Sequence, residues 1–259
     1  MKTIFNQRVV ILAGKSSSTN IVYNALKDDF HIECIILEDP VKKVEFLKKR
    51  IKYMGFWRVS GQVLFKTTIA KFLEIYSKKR ISAIHRENKM DDAALPKELV
   101  IPVTSVNDDK VISLLQKHHP AIVVVNGTRI ISKKVLNAID ARFVNIHAGI
   151  TPKYRNVHGA YWALVNNDFE NCGVTVHLVD PGIDTGSIIY QSCISVTRQD
   201  NFATYPSLQL AKGIVYLKKA LNDIFDGRLV TKKRSLESKI WHHPTLGQYI
   251  LNRLMYQKK

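Results

Sequence analysis

The stretch that decides the fold is RVVILAGKSSST, residues 8–19, in which an apolar run opens into a loop of small residues. The run Arg8–Ala13 is continuously apolar after its first residue, which is typical of a strand buried on both faces. A helical pattern follows over Thr19–Leu26, and a second apolar run lies at His31–Leu37. Strand, helix and strand in this order predict a βαβ unit with a right-handed crossover.

The loop after the first strand is a candidate phosphate site. Free backbone N–H groups at a helix N-terminus bind phosphate, and Lys15 adds a positive charge beside Gly14 and Ser16. The alternative is an ordinary turn in which a serine or threonine caps the helix. The loop carries neither of the two common glycine-rich nucleotide motifs, so both interpretations stay open.

The rest of the chain continues the alternation of strands and helices. We predict an α/β fold with a doubly wound, mainly parallel sheet and reactive loops at the carboxyl ends of the strands. A catalytic domain is expected over residues 1–200, with a C-terminal helix and tail over 201–259 packed on it. The further predicted strands are Val100–Val103, Ala121–Val125, Phe143–Ile146, Gly173–Val179 and an antiparallel Ser187–Val196; the further helices are Asn107–His118, capped by Asn107, a helix capped by Ser132, and Ala203–Phe225, with residues 81–95 as loop.

Residues 40–80 are predicted to form a basic helical insertion of two helices, interrupted near Gly55 and Gly61. Residues 41–80 hold 12 Lys and Arg against two Glu, so they contribute +10 of the formal net charge of +17. This excess indicates an anionic partner, which could be a diphosphate, RNA or an acidic lipid surface. A basic amphipathic helix with Phe56 and Trp57 would allow weak association with a membrane surface. The alternative is a solvated basic face over a packed apolar stripe.

Residues 145–186 collect the reactive side chains. Asn145 and His147 are two residues apart on a predicted strand, which places both side chains on one face. Glycines and Pro152 then break regular structure, so the strand ends in an irregular loop. The next strand delivers Asp184 through the turn at Pro181 and Gly182. An amide, an imidazole and a carboxylate are therefore expected to meet at the ends of two strands.

These motifs resemble those of the formyltransferases that use 10-formyltetrahydrofolate. The matching residues are Asn145-Ile-His147, the Lys153-Tyr-Arg155 loop, Gly173-Val-Thr-Val-His177 and Asp184-Thr-Gly186. The resemblance covers about residues 8–200 and is dense from 121 to 191. Within this Rossmann-like family the chain is most like the nucleotide-sugar N-formyltransferases, such as GDP-perosamine N-formyltransferase, which serve bacterial surface polysaccharide (O-antigen, lipopolysaccharide) biosynthesis.

The resemblance implies 10-formyltetrahydrofolate as donor and an amino sugar on a nucleoside diphosphate as acceptor. Formyl transfer develops charge on the carbonyl oxygen, and a preorganised donor such as the Asn145 amide suits that oxygen. His147 would be a second donor or a proton carrier, and Asp184 would accept a proton directly or through a water. The implied cofactor-binding residues are Arg129, Ile130, Ile131, Val179, Asp180 and Asp184; the implied substrate-binding residues are Gly14, Lys15, Ser16, Lys153, Tyr154, Arg155 and Trp162.

One departure from the family concerns the loop that would hold the substrate. Many members have Arg-Gly where this chain has Arg155-Asn156, so the loop is expected to turn differently. His177 lies between valine and leucine on a strand and is interpreted as a hydrogen-bonded core imidazole.

Two alternative functions are considered. The acceptor could be glycinamide ribonucleotide, as in purine synthesis. The chain could also be a basic nucleic-acid-binding protein with a degenerate site, although aromatic residues are not interleaved with the basic ones and no RNA-binding motif is present. No metal-ligand motif is found, so no metal is expected. The N-terminus lacks the apolar core of a signal peptide, so a cytoplasmic protein is expected. Whether the protein forms a homodimer is left open.

Overall fold

A seven-stranded sheet in the order β3-β2-β1-β4-β5-β7-β8 forms the centre of the computed structural model, which describes residues 7–256. Its strands are β1 (Arg8–Gly14), β2 (His31–Glu38), β3 (Val100–Val103), β4 (Ile122–Asn126), β5 (Arg142–His147), β7 (Gly173–Leu178) and β8 (Ile188–Cys193). A separate pair joins β6 (Arg155–Asn156) to β9 (Ile240–Trp241). The helices are α1 (Ser17–Leu26), α2 (Lys43–Met54), α3 (Phe56–Phe65), α4 (Lys71–Tyr76), α5 (Lys78–Glu87), α6 (Asp109–His118), α7 (Lys133–Leu136), α8 (Gly159–Val165), α9 (Tyr205–Phe225) and α10 (Leu246–Tyr256).

The first five strands of the sheet are parallel, and the last two are antiparallel. Strand β1 pairs in parallel with β2 and β4, while β3 and β5 extend the sheet on either side. Strands β7 and β8 then run antiparallel to their neighbours. The predicted doubly wound, mainly parallel sheet is therefore confirmed. Since parallel strands point the same way, the loops after β1, β4 and β5 meet at one edge.

Helices cover both faces of the sheet, because apolar side chains alternate along each buried strand. Val9 and Ile11 of β1 pack with α1 and α9, whereas Val10 and Leu12 pack with α6 and α7. All four of these valine, isoleucine and leucine side chains have 0% exposure. This two-sided burial explains the continuous apolar run that the sequence shows at this strand.

The insertion is more helical than predicted. Gly55 separates α2 from α3 with a φ of +84°, but Gly61 does not interrupt α3. A side chain at Gly61 would begin 3.0 Å from the Cβ of Thr245, so this glycine provides close packing instead of a break. Helix α3 continues into α4 through a π-helical turn over Lys66–Ala70. The structure therefore has the predicted break near Gly55, whereas the predicted break near Gly61 is wrong.

The predicted loop at residues 81–95 is also wrong over its first half, since α5 extends to Glu87. Ile84 is fully buried, and Arg80 at the start of this helix bonds the Asp200 carboxylate at 3.0 Å. The Asp200 side chain has no exposure, so its charge is held by this ion pair. Long-range contacts thus stabilise a helix whose local pattern is weak.

The C-terminal part packs on the sheet and on the insertion. The α9 residues Leu217 and Leu221 are fully buried in the core that includes β1. Strand β9 and helix α10 contribute Trp241 and Tyr249 to an aromatic core with α3 and α8. The division of the chain at residue 200 stays a prediction.

Candidate active site

A cleft of about 610 Å³ lies at the edge where the parallel strands end. Strands β4 and β5 supply Asn126, Asn145 and His147 to its lining, and the loop after β7 supplies Asp184. The described lining residues from the segment after β4 are Gly127, Thr128, Arg129, Ile130 and Ile131. The cleft therefore stands where an open α/β sheet presents its loops to a ligand.

The antiparallel pairing of β5 with β7 places four polar side chains on one face. Asn145 stands opposite His177, and His147 stands opposite Thr175. Residues two apart on a strand share a face, and directly paired residues across the ladder do too. His177 is 3% exposed and hydrogen-bonded, as expected of a core imidazole, and it also lines the cleft beside Asn145. The signal that identifies it is the alternation of Thr175 and His177 along β7, which becomes informative only once the register with β5 is known.

His177 fixes the direction of the Asn145 amide. Its Nδ1 lies 2.7 Å from the carbonyl oxygen of Leu178, so Nδ1 carries the proton that this oxygen accepts. In the neutral ring, Nε2 is then an acceptor, and the Asn145 Nδ2 lies 3.2 Å from it. The amide donates one N–H to His177, and its second N–H is not used by this bond. Asn145 is half-buried and lines the cleft.

Each ring nitrogen of His147 faces an oxygen acceptor. Its Nε2 lies 2.7 Å from the carbonyl oxygen of Tyr154, and its Nδ1 lies 3.2 Å from Oδ2 of Asp184. Burial lowers the pKa of His147 below its ordinary value, and Asp184 and the Tyr154 carbonyl offset this lowering in part. When the ring is neutral with a proton on Nε2, Nδ1 is an acceptor facing the carboxylate. A proton that arrives between Nδ1 and Asp184 can therefore bond to both.

Asp184 is held as a carboxylate by its surroundings. Burial opposes its ionisation, but His147, His177 and the N–H of Asn156 together hold the pKa of Asp184 at about 2. The Asn156 N–H donates to Oδ2 at 2.8 Å, and His177 Nε2 lies 3.7 Å from Oδ1. Asp184 has a φ of +50°, a left-handed conformation that aspartate adopts more readily than most residues.

The segment Thr128–Ser132 is irregular and lies along the cleft. Ser132 caps α7, as predicted, by accepting from the Val135 N–H. Asn107 does not cap α6, whose N-cap is Asp108, so that prediction is wrong. The Asn107 amide instead donates to the Ile130 carbonyl and accepts from the Ser132 N–H. The N–H groups of Ile130 and Ile131 have no partner among the described residues, so they are available to a ligand.

The predicted cofactor residues differ in their surroundings. Ile130 is 54% exposed, while Ile131 is buried behind it. Arg129 turns toward the end of β2, where its Nη2 donates to the Asp39 carbonyl at 2.8 Å. Asp180 accepts from the Gly182 N–H at 3.0 Å and orders the turn that leads to Asp184. Val179 lines the cleft beside Asp180.

The loop after β1 opens on a neighbouring cavity of about 330 Å³. Gly14 and Lys15 line this cavity, but Lys15 is paired with Asp39 at 2.9 Å. Ser16 is not among its described lining residues. Its hydroxyl accepts from the Thr19 N–H as the N-cap of α1, which is the ordinary capping role.

None of the seven predicted substrate residues is among the described lining residues of the cleft. The Tyr154 side chain has no exposure and Trp162 is 8% exposed, because both rings pack in the aromatic core. Lys153 pairs with Asp168 at 2.6 Å. The burial of the Tyr154 and Trp162 rings therefore contradicts contact of these two side chains with substrate, although the Tyr154 carbonyl orients His147. Substrate contact by Lys153 stays a prediction. Arg155 donates to the Ile183 carbonyl at 2.6 Å and so supports the Asp184 loop.

Asn156 has a φ of +79°. Asparagine tolerates this left-handed conformation. Its side chain donates to the Trp241 carbonyl at 2.7 Å, where β9 pairs with β6. The loop thus joins the C-terminal segment to Asp184.

Comparison with known proteins identifies similar chains. Residues 71–214, more than half of the 259, match the family model described as Formyl transferase. A methionyl-tRNA formyltransferase from Finegoldia magna is 31% identical over 159 residues, which are 59% of this chain and 50% of that protein. The chain thus spans about half the length of the curated relatives it matches.

Solved structures share the fold at low sequence identity. A sugar N-formyltransferase from Shewanella sp FDAARGOS_354 superposes with a TM-score of 0.57 at 16% identity, covering 91% of this chain and 76% of that one. An N-formyltransferase from Helicobacter canadensis, in complex with folinic acid and dTDP-3-aminofucose, gives 0.52 at 16% identity, covering 90% and 70%.

No described helix is long and apolar enough to cross a membrane. No group of three or more His, Cys, Asp and Glu side chains within residues 7–256 is arranged to hold a metal ion. Association of residues 41–80 with an acidic lipid surface and a homodimer both stay predictions.

Proposed function

Since this chain belongs to the formyl transferase family, we propose that it transfers a formyl group from 10-formyltetrahydrofolate to the amine of a nucleotide-linked amino sugar. The acceptor we favour is an amino sugar such as that of GDP-perosamine, a precursor of bacterial surface polysaccharide. The observation that carries the proposal is the convergence of Asn145, His147 and Asp184 on one cleft.

The folate co-substrate would supply the formyl group, and the residues along the cleft fit its flat ring. The N–H groups of Ile130 and Ile131, which have no partner among the described residues, would donate hydrogen bonds to it. The exposed Ile130 side chain offers an apolar surface. A pocket that combines apolar contact with a few fixed polar groups is typical of small-molecule sites.

The reaction replaces one C–N bond of the formyl carbon with another, and the acceptor amine loses a proton. The free N–H of Asn145 is oriented by His177 and would bond the developing oxyanion, usually the largest catalytic contribution. The proton of the amine would pass to Nδ1 of His147, directly or through a water. The imidazolium would then donate to the Tyr154 carbonyl and to Asp184, both already in place. The proton finally returns to the leaving folate nitrogen.

Methionyl-tRNA is the second candidate acceptor, because the curated relatives that match this chain over about half of their length are methionyl-tRNA formyltransferases. The basic insertion is compatible with RNA as well as with a diphosphate. Glycinamide ribonucleotide stays a third acceptor to be tested.

The test is a formylation assay with 10-formyltetrahydrofolate and a panel of amines. The panel contains nucleotide-linked amino sugars, methionyl-tRNA and glycinamide ribonucleotide, and mass spectrometry detects one added formyl group. We expect an amino sugar to be formylated, with Asn145→Ala protein as the control. Formylation of methionyl-tRNA alone would replace the favoured acceptor, and the absence of any formylated amine would overturn the proposal.

A further inference from the structure

A second cavity of about 360 Å³ lies between the basic insertion and the C-terminal segment. Three cationic side chains line it, namely Lys43 and Arg50 of α2 and Lys66 of the π-helical turn. No acidic residue is among its described lining residues, and none of these three cations forms an ion pair with a described carboxylate. We call this the basic cavity, defined by Lys43, Arg50, Gln62, Lys66 and His243.

The basic cavity is a built site, because its central cation is held in position. The Arg50 Nη2 donates to Oε1 of Gln62 at 2.5 Å, and Gln62 is only 4% exposed. The Gln62 amide in turn donates to the His243 carbonyl at 2.7 Å. The Arg50 guanidinium also lies 5.2 Å from the centroid of the Phe46 ring. Its Nε and Nη1 have no hydrogen-bond partner among the described residues, so they stay available to a ligand.

The positive charge in the basic cavity is not neutralised by the residues around it. Burial, together with the positive charges of Arg50 and Lys66, lowers the pKa of His243 to about 4, so this ring is neutral near pH 7. Its Nδ1 lies 2.8 Å from Nε2 of His158, which fixes the ring against the loop before α8. Clustered like charges repel one another, and an anion bound between them removes that repulsion.

We propose that the basic cavity binds the diphosphate of a nucleoside diphosphate and so anchors the phosphate-bearing part of the acceptor, an assignment that rests on the proposed function. Arginine and lysine side chains match phosphate oxygens, with arginine able to donate two parallel hydrogen bonds. The volume lies at the lower end of small-molecule sites. Phe46 lines this cavity, the cavity beside Lys15 and the main cleft, so the three adjoin one another.

This assignment gives one role to two segments distant in the sequence. The insertion contributes the cations, and the C-terminal segment contributes the His243 carbonyl that fixes Gln62. The same segment bonds Asn156 through the Trp241 carbonyl, and the Asn156 N–H bonds Asp184. The basic cavity and the Asp184 carboxylate are therefore both tied by hydrogen bonds to one short backbone segment, residues 241–243.

The test measures binding of inorganic pyrophosphate by isothermal titration calorimetry, with no formyl donor present. Arg50→Gln and Lys66→Gln should each weaken binding about 10-fold or more, because each removes one charge-assisted contact. Lys49→Gln is the matched control: it removes the same charge from the next position on α2, and Lys49 is exposed and not among the described lining residues. Its effect should stay below about twofold. GDP or another nucleoside diphosphate should displace pyrophosphate from the unsubstituted protein.

Three results would overturn the assignment: no pyrophosphate binding at millimolar concentration, equal weakening by Lys49→Gln, or pyrophosphate that no nucleoside diphosphate displaces. Equal weakening together with tight tRNA binding would indicate a nucleic-acid surface instead. Lys66 is exposed, so its substitution keeps the test interpretable if Arg50→Gln protein fails to fold. Because the measurement needs no turnover, a folded protein that binds pyrophosphate but formylates no amine would separate failure of the proposed function from failure of this site.

Discussion

Nδ1 of His147 lies 3.2 Å from the carboxylate of Asp184, while Nε2 of the same ring lies 2.7 Å from the carbonyl oxygen of Tyr154. His147 is the last residue of β5, whereas Asp184 lies in the loop after β7, 37 positions further along the sequence. Because both ring nitrogens face oxygen acceptors, protonating the neutral ring creates a second hydrogen bond without moving either partner. This pair is thus prepared to receive one proton.

Substitution of Asn145 tests the oxyanion role. Asn145→Ala should lower kcat by about 100- to 1000-fold, because a single oriented donor contributes that much in comparable sites. Asn145→Asp should be at least as damaging, since it replaces the donor with a negative charge. The measurement is steady-state formylation at saturating donor. Asn20→Ala, which loses only a surface bond to the Asp92 carbonyl, is the control. A loss below about 10-fold for both Asn145 variants would contradict the role.

The charge of Asp184 should be visible in the titration of His147. Burial is the largest influence on the pKa of His147 and lowers it, whereas Asp184 raises it. Asp184→Asn removes the raising influence, so the pKa of His147 should fall further. The measurement is the NMR titration of labelled histidine Cε1–H groups, which does not depend on activity. Asp180→Asn, in the same loop but absent from the groups that shift His147, should leave this pKa unchanged. An increase after Asp184→Asn would show that the two side chains do not interact as described.

The His158–His243 pair should make the protein sensitive to acid. Burial is the main cause that lowers the pKa of His158 to about 3 and that of His243 to about 4, with neighbouring positive groups adding to it. In the unfolded chain both groups titrate near the ordinary value of about 6.5. The unfolded state therefore binds more protons below that pH, and stability falls as pH decreases from about 6.5 toward 4. Each ring contributes at most about 1.4 kcal/mol per pH unit to the slope.

The check is urea unfolding at several pH values with His158→Asn protein. Asparagine suits the φ of +57° at this position, and the slope between pH 6.5 and 4 should fall by up to about 1.4 kcal/mol per pH unit, the contribution of one ring. His119→Asn is the matched control, because His119 has a φ of +43° but is exposed, so its replacement should leave the slope unchanged. An identical slope in the His158 variant would refute the assignment.

Gly149→Ala should disturb the reactive imidazole directly. An added Cβ would lie 2.2 Å from the Tyr154 carbonyl oxygen and 2.7 Å from Nε2 of His147, so the bond between them must shift. We expect a loss of about 1–3 kcal/mol in the free energy of unfolding, together with loss of formylation. The control is Gly247→Ala, where the added Cβ meets nothing within 4 Å. Wild-type activity in Gly149→Ala protein would rule out the described packing around His147.

Local patterns in the sequence were sufficient for part of the site. The two-residue spacing of Asn145 and His147 predicts a shared face on any strand, and the structure has that arrangement. The same local reasoning did not identify His177, because its position opposite Asn145 depends on the register between β5 and β7. It also placed the aromatic rings of Tyr154 and Trp162 at the substrate, whereas both are buried in a core built partly from α3 and α10.

The sequence by itself determined the βαβ unit, the mainly parallel sheet and the strand that presents the amide and the imidazole, because apolar periodicity is a local property of the chain. Only the tertiary structure decided which polar groups meet. The pairing of β6 with β9, the bond from Gln62 to the His243 carbonyl and the approach of Asp184 to His147 join residues 28 or more positions apart. Such contacts depend on how separate elements pack together, and no periodicity within one segment encodes that packing.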